Sequence, residues 1–205
     1  MLGRLRPVMA KLLRGPARLL LRWGIHPNAV TIFGTAGAVI SAIYFFPQGG
    51  IMLFWGVVVI TLFASTDMLD GTMARLSGKS SRLGAFLDST LDRVADAAIF
   101  GSVVWAFHTE NEAVALAALV CMAVGSFVPY ARARAEGLGI EAKVGIAERG
   151  DRLAIGGIAT AAVGLGAPEA VLPWTFWLLA LAAAITVVQR TWVVVRATRE
   201  DVHSA

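Results

Sequence analysis

From Trp23 to Thr66 the chain carries no Asp, Glu, Lys or Arg. An uncharged apolar stretch of this length leaves few options, because a helix crosses a bilayer in about 20 residues. In lipid every backbone N–H and C=O needs a partner within the protein, so the stretch is expected to be helical. It is long enough for two spans, and Pro47-Gln48-Gly49-Gly50 supplies the turn between them. The 205-residue composition agrees, with 57% hydrophobic residues and a mean hydropathy of +0.70, far above a soluble domain.

The same reading along the chain predicts six spans, near 29–46, 51–74, 84–107, 113–134, 150–166 and 173–196. They are separated by PQGG, a short basic loop, the polar turn HTENE, a basic loop over 135–149 and a turn around Gly166 and Pro168. The expected fold is an all-α integral membrane domain of six transmembrane helices over 24–199. Residues 1–23 precede it as an amphipathic interfacial helix, and 200–205 follow as a tail. In the first segment Arg4, Arg6, Lys11, Arg14, Arg18 and Arg22 alternate with leucines, a pattern suited to the surface of an anionic leaflet. It lacks the apolar core and cleavage site of a signal peptide. The single cysteine, Cys121, lies in an apolar run and can form no internal disulfide.

Charge sets the expected orientation. The 18 Lys and Arg fall in the N-terminal arm, at the end carrying Asp70 and Asp92, in the 132–152 region, or after Gln189. None lies in PQGG, HTENE or the Gly164–Pro173 turn. By the positive-inside rule both termini and the aspartates face the cytoplasm, as an even number of spans also requires. The net charge of +4 is therefore a topology signal and gives no reason to invoke nucleic acid.

Four carboxylates break the apolar pattern. Asp67 and Asp70 are three apart at the end of the second span, and Asp88 and Asp92 four apart near the start of the third. Each pair shares a helix face, and an antiparallel turn can bring the two pairs together. Charges near lipid are expensive and mark function by default. Four anions in a partly dehydrated site need cations to neutralise them, and hard divalent ions such as Mg²⁺ or Mn²⁺ suit oxygen donors while keeping positions open for substrate phosphates. Gly71, Ala74 and Gly84 allow close approach, and Arg75, Lys79 and Arg82 add positive charge, so a phosphorylated substrate is expected. Asp96 reads as a helix-to-helix hydrogen-bonding group.

The spacing D67-x2-D70-G71-x2-A74-R75-x8-G84-x3-D88-x3-D92 resembles the signature of the CDP-alcohol phosphatidyltransferases. The resemblance implies a six-span bacterial plasma-membrane enzyme, commonly a homodimer, that moves a phosphatidyl group from CDP-diacylglycerol to an alcohol and releases CMP. It implies two metal ions held by Asp67, Asp70, Asp88 and Asp92, with Asp92 also the general base. It also places Asn28 and Thr31 of the P-[ND]-x-x-T segment in the CDP-lipid site, with Gly71, Ala74, Arg75, Ser81 and Gly84. Read locally, Pro27, Asn28 and Thr31 are simply a helix start, and His26 an interfacial residue.

The acceptor end is read from Arg132, Arg149, Arg152 and Arg190, which would lie at cytoplasmic helix ends. Arginine offers planar, bidentate contacts to a phosphate dianion. The run from Tyr130 to Glu136, then E148-R149-x-x-R152-L153, then V188-Q189-R190, is similar to the actinobacterial branch of the family that makes phosphatidylinositol phosphate from inositol 1-phosphate. Pro129 and Arg132 stand where that branch usually has Ser and Lys; Arg132 keeps the charge. Arg134, Arg196 and Arg199 are read as topology signals. The nearest alternative is the same transfer to glycerol 3-phosphate. From other classes, an intramembrane prenyltransferase is disfavoured by the second half of the motif. A divalent-metal transporter is disfavoured by the nearly uncharged middle and outer parts of the helices.

Overall fold

The computed structural model describes residues 13–78 and 81–204, with side chains as far as Arg199. Every element among them is helical: α1 (Arg14–Arg22), α2 (Pro27–Phe45), a 3-10 turn (Phe46–Gln48), α3 (Ile51–Ala64), α4 (Thr66–Ser77), α5 (Arg82–Phe107), α6 (Glu112–Glu136), α7 (Arg149–Gly164) and α8 (Val171–Ser204). Helices thus stand at all six expected positions, and a further helix covers the described part of the N-terminal arm. Residues 1–12 of that arm lie outside the described residues, as does Lys79.

Four segments are long and apolar enough to cross a membrane: Pro27–Gln48, Ile51–Ser77, Glu112–Glu136 and Val171–Arg199. The helices at the other two expected spans differ for definite reasons. The first half of α5 carries Asp88, Asp92, Arg93 and Asp96, and α7 has only 16 residues, opening with Arg149, Asp151 and Arg152. Large apolar side chains, among them Phe33, Ile40, Trp105, Ile158 and Leu178, point outward. Water would penalise such a surface and lipid would not.

The turns follow from their residues. Pro47 sits in the 3-10 turn, and Gly49 and Gly50 take positive φ (+64° and +48°), which lets the chain reverse without a Cβ penalty. Asn111 caps α6 by accepting from the Val114 N–H (3.4 Å), and its amide donates to Glu169 Oε2 (3.0 Å). One boundary departs from expectation: the second span is broken at Ser65. There Ser65 Oγ donates to the Leu62 carbonyl (2.6 Å) and Thr66 Oγ1 to the Phe63 carbonyl (2.7 Å). Two consecutive hydroxyls bonding back to the preceding turn compete with the helical ladder. A Cβ on Gly34 would lie 1.8 Å from Thr66 Oγ1, so α2 packs directly onto this break.

The helices form two compact units. One holds the described parts of Met1–Phe45 and Trp55–Ile99; the other holds Phe46–Phe54 and the described part of Phe100–Ala205. In the first, α1 and α2 both pack on α4. Ala17, Val30 and Met73 form its buried cluster, flanked by Leu20, Leu21, Ile25 and Leu69. In the second, α6 and α7 pack on α8, and Gly164 closes against the turn before α3. A Cβ there would lie 2.5 Å from Phe54 N and 3.1 Å from the Gly50 carbonyl, backbone atoms that cannot swing aside. Gly164→Ala should therefore cost about 1–3 kcal/mol and lower the melting midpoint in detergent by several degrees. An unchanged midpoint would mean that the helices shift freely at this contact.

Candidate active site

All four signature aspartates belong to the first unit. The break at Ser65 starts α4 afresh, so Asp67 lies in its first turn and Asp70 one turn on. The helix ends at Gly78 in a left-handed conformation (φ +64°), and α5 opens after Ser81, whose Oγ accepts from the Gly84 N–H at 2.9 Å. Asp70 is 6% exposed, and the Thr31 hydroxyl donates to its Oδ2. Asp88 and Asp92 of α5 lie close enough to act electrostatically on Asp70. Asp67 and Asp92 are half-buried, and Asp88 is exposed. Arg93 reaches Asp92 (3.6 Å) and Asp96 (3.8 Å), so the ion pair of Asp96 is made within its own helix.

This donor set suits a hard divalent cation. The groups are carboxylate oxygens, three of them within mutual electrostatic range, and the buried Asp70 is already held by a hydroxyl. Among the described residues no three such side chains are closed around a single point. The fit therefore lies in donor chemistry and in shared location.

The nucleotide candidates gather in the same unit. A Cβ on Gly84 would lie 3.2 Å from both Asn28 Oδ1 and Ser81 Oγ, so residues distant in sequence form one cradle that a side chain would crowd. Thr31 is spent on Asp70. Arg75 donates to Thr72 Oγ1 (3.2 Å). Among the described residues, and apart from its own helix backbone, a Cβ on Gly71 would meet Arg75 Nη1 at 3.7 Å and nothing nearer, leaving that face of α4 open beside a cation. Ala74, half-buried, precedes Arg75 on the helix.

The acceptor candidates lie in the second unit. Arg152 is 2% exposed and packs on Gly125, where a Cβ would stand 2.9 Å from its Nε. Arg190 is also buried; its Nε donates to the Val144 carbonyl (2.9 Å) and its Nη1 to the Val128 carbonyl. Arg132, Glu136 and Glu148 lie within electrostatic reach of Arg190. Arg132 itself pairs with Glu136 at 2.9 Å on the exposed side of α6. Arg149 opens α7, behind a capping box of Glu148 and Asp151.

His26, read from sequence as an interfacial residue, accepts the Asn28 N–H at its Nδ1 (3.2 Å), capping α2 ahead of Pro27. Three participants were not singled out from sequence: Thr72 accepts from Arg75, Gly125 makes room for Arg152, and Thr186 holds the segment before α7. A hydroxyl or glycine inside an apolar helix was the available signal, but one too common to point to a partner.

A family model described as CDP-alcohol phosphatidyltransferase matches residues 24–188. The chain is 45% identical over 206 residues to the phosphatidylinositol phosphate synthase of Cutibacterium acnes, covering 96% of this chain and 99% of that protein. It is 42% identical over 203 residues to the phosphatidylinositol phosphate synthase of Streptomyces avermitilis, covering 95% and 82%. It is also similar to the crystal structure of Mycobacterium tuberculosis phosphatidylinositol phosphate synthase with CDP-DAG bound, with a TM-score of 0.83 and 38% identity over 90% of this chain and 94% of that one. The structure of the same protein in complex with manganese and citrate gives a TM-score of 0.82 and 39% identity, covering 89% and 88%.

Proposed function

This chain belongs to the CDP-alcohol phosphatidyltransferase family, and from that premise we propose that it transfers the phosphatidyl group of CDP-diacylglycerol to inositol 1-phosphate, giving phosphatidylinositol phosphate and CMP. The observation that carries this reading is the 45% identity to a phosphatidylinositol phosphate synthase across 96% of this chain and 99% of the relative. The full aspartate signature, from Asp67 to Asp92, lies inside the matched region.

Asp67, Asp70, Asp88 and Asp92 would hold two divalent cations, Mg²⁺ or Mn²⁺, a cofactor class the family uses. Bound there, such ions supply charge neutralisation for the pyrophosphate and the departing CMP. Asn28, Thr31, Gly71, Ala74, Arg75, Ser81 and Gly84 would seat the nucleotide end: small residues allow close approach, and Arg75 supplies a cation. Asp92 then takes the proton of the acceptor hydroxyl as its oxygen bonds to the lipid-linked phosphorus and the P–O bond to CMP breaks. Thr31, bonded to Asp70 Oδ2, fixes which face of that carboxylate remains for a ligand. Arg132, Arg149, Arg152 and Arg190 would recognise the acceptor phosphate. The acyl chains stay in lipid, and the soluble parts come from the cytoplasm. The frame is six spans with both termini cytoplasmic, an interfacial helix over 1–23 and a homodimeric assembly. The exposed apolar faces and the placement of Lys and Arg support the spans and their orientation, while the homodimer follows from the family resemblance alone.

The deciding experiment supplies membranes containing the full chain with CDP-diacylglycerol, Mg²⁺ or Mn²⁺ and one labelled alcohol at a time. Inositol 1-phosphate should give labelled phospholipid and stoichiometric CMP, lost on chelation and restored by adding the metal back. Product from glycerol 3-phosphate alone would replace the acceptor assignment. Metal uptake by proteoliposomes with no lipid product would overturn the enzyme reading altogether.

A further inference from the structure

The segment that leads from α6 to the arginines of α7 is fastened to α8 at two points, by the Arg190 guanidinium at the Val144 carbonyl and, nearer the start of α7, by the Thr186 hydroxyl. Thr186 is fully buried, and its Oγ1 accepts from the N–H groups of Ile146 (3.2 Å) and Ala147 (3.1 Å) while donating to the Ala182 carbonyl (2.9 Å). That uses the full capacity of a hydroxyl, one donor and two acceptor positions. Nearby, a Cβ on Gly145 would lie 2.3 Å from Thr186 Cγ2, and Gly145 holds φ +147°, where side chains are rare. The backbone therefore lies flat against the threonine. Glu148, the next residue, accepts the Arg152 N–H (3.3 Å) and donates its own N–H to Asp151 Oδ2 (3.2 Å), which starts α7. Two residues beyond the clamped Ala147 stands Arg149, and Arg152 follows one turn later.

We propose that Thr186 is a positioning residue for acceptor recognition: by clamping the backbone at Ile146 and Ala147 it fixes the start of α7, and with it the guanidinium groups of Arg149 and Arg152. This rests on the proposal that those arginines bind a phosphorylated acceptor, and not on which alcohol carries the phosphate. Thr186 is too far up the chain of contacts to be a catalytic group. Its effect is transmitted through two N–H bonds and a helix cap, so it should appear in acceptor affinity and not in the chemical step.

The test uses full-length protein in detergent, CDP-diacylglycerol, and whichever phosphorylated alcohol the wild type turns over best. Thr186→Val keeps the shape and removes the hydroxyl. It should raise the acceptor KM roughly tenfold, about what losing one or two net hydrogen bonds allows. The kcat and the KM for CDP-diacylglycerol should stay within about twofold. Thr186→Ser, which restores the hydroxyl, should return the acceptor KM to near the wild-type value. Gly145→Ala presses on the same backbone from the other side and should give the same split, eased by adding Thr186→Ser, which removes the Cγ2 it meets. An unchanged acceptor KM in both Thr186→Val and Gly145→Ala, or a fall in kcat with both KM values raised alike, would overturn the assignment. Should Thr186→Val fail to fold, Gly145→Ala with and without Thr186→Ser decides alone. A wild type that uses glycerol 3-phosphate in place of inositol 1-phosphate changes the acceptor but leaves this test intact.

Discussion

Asp92→Asn is expected to cut phosphatidyl transfer by roughly 10²- to 10⁴-fold, the range for removing a positioned general base, while leaving CDP-diacylglycerol binding largely in place. The amide matches the carboxylate in size but can neither accept the hydroxyl proton nor offer an anionic oxygen to a cation. On the proposed assignment Asp67, Asp70 and Asp88 would still hold the metal and the nucleotide end, so equilibrium binding of the CDP-lipid should change little. Arg93, 3.6 Å from Asp92, still has Asp96 at 3.8 Å, so the substitution leaves the arginine partnered. Asp70→Asn should behave differently. Its Oδ2 accepts the Thr31 hydroxyl and the group is buried, so its loss should remove both metal affinity and activity. Rate of CMP release and direct CDP-lipid binding, measured on both variants, separate the two roles. Normal turnover in Asp92→Asn would end its assignment as base, and loss of lipid binding equal to that in Asp70→Asn would make it a metal ligand alone.

Much of this was legible from residues because lipid enforces simple rules. A long uncharged stretch interrupted by Pro47 and two glycines can hardly be anything but two helices and a turn, and α2 and α3 lie there. The charged half of α5 was legible as a helix, yet α5 is not among the segments apolar enough to cross a membrane, for the reason that makes it interesting: it carries Asp88 and Asp92. The break at Ser65 was not legible, because a Ser-Thr pair is compatible with an unbroken helix until Gly34 of α2 packs against Thr66. Pairings across long sequence gaps were hidden for a related reason. Thr31 and Asp70 are 39 residues apart, and nothing local in either segment announces the other. The family resemblance assigned Thr31 to the CDP-lipid site and Asp70 to the metal; only folding α2 onto α4 makes the hydroxyl a partner of the carboxylate. Arg190 shows the opposite gap. Its sequence context suggested a phosphate ligand, yet two of its nitrogens serve the carbonyls of Val144 and Val128, a bracing role that residue type alone does not reveal.

Arg152→Gln carries the second large effect: the acceptor KM should rise roughly 10- to 100-fold, as expected for losing a hydrogen bond to a charged group, with the KM for CDP-diacylglycerol unchanged. Arg152 is 2% exposed, and Gly125, lacking a side chain, leaves its guanidinium room against α6. Where water is excluded, bonds between a guanidinium and a phosphate dianion are stronger than at the surface. Glutamine keeps a similar length and a polar end, and the melting midpoint, measured beside the acceptor KM, tells a loss of recognition from a loss of folding. Gly125→Ala, whose Cβ would stand 2.9 Å from Nε, should shift the guanidinium and raise the acceptor KM in the same direction by less. If Arg152 serves only as a positive-inside signal, the variant would insert less efficiently yet bind acceptor normally. Normal acceptor KM in correctly inserted Arg152→Gln protein therefore removes it from the acceptor site, whatever the yield.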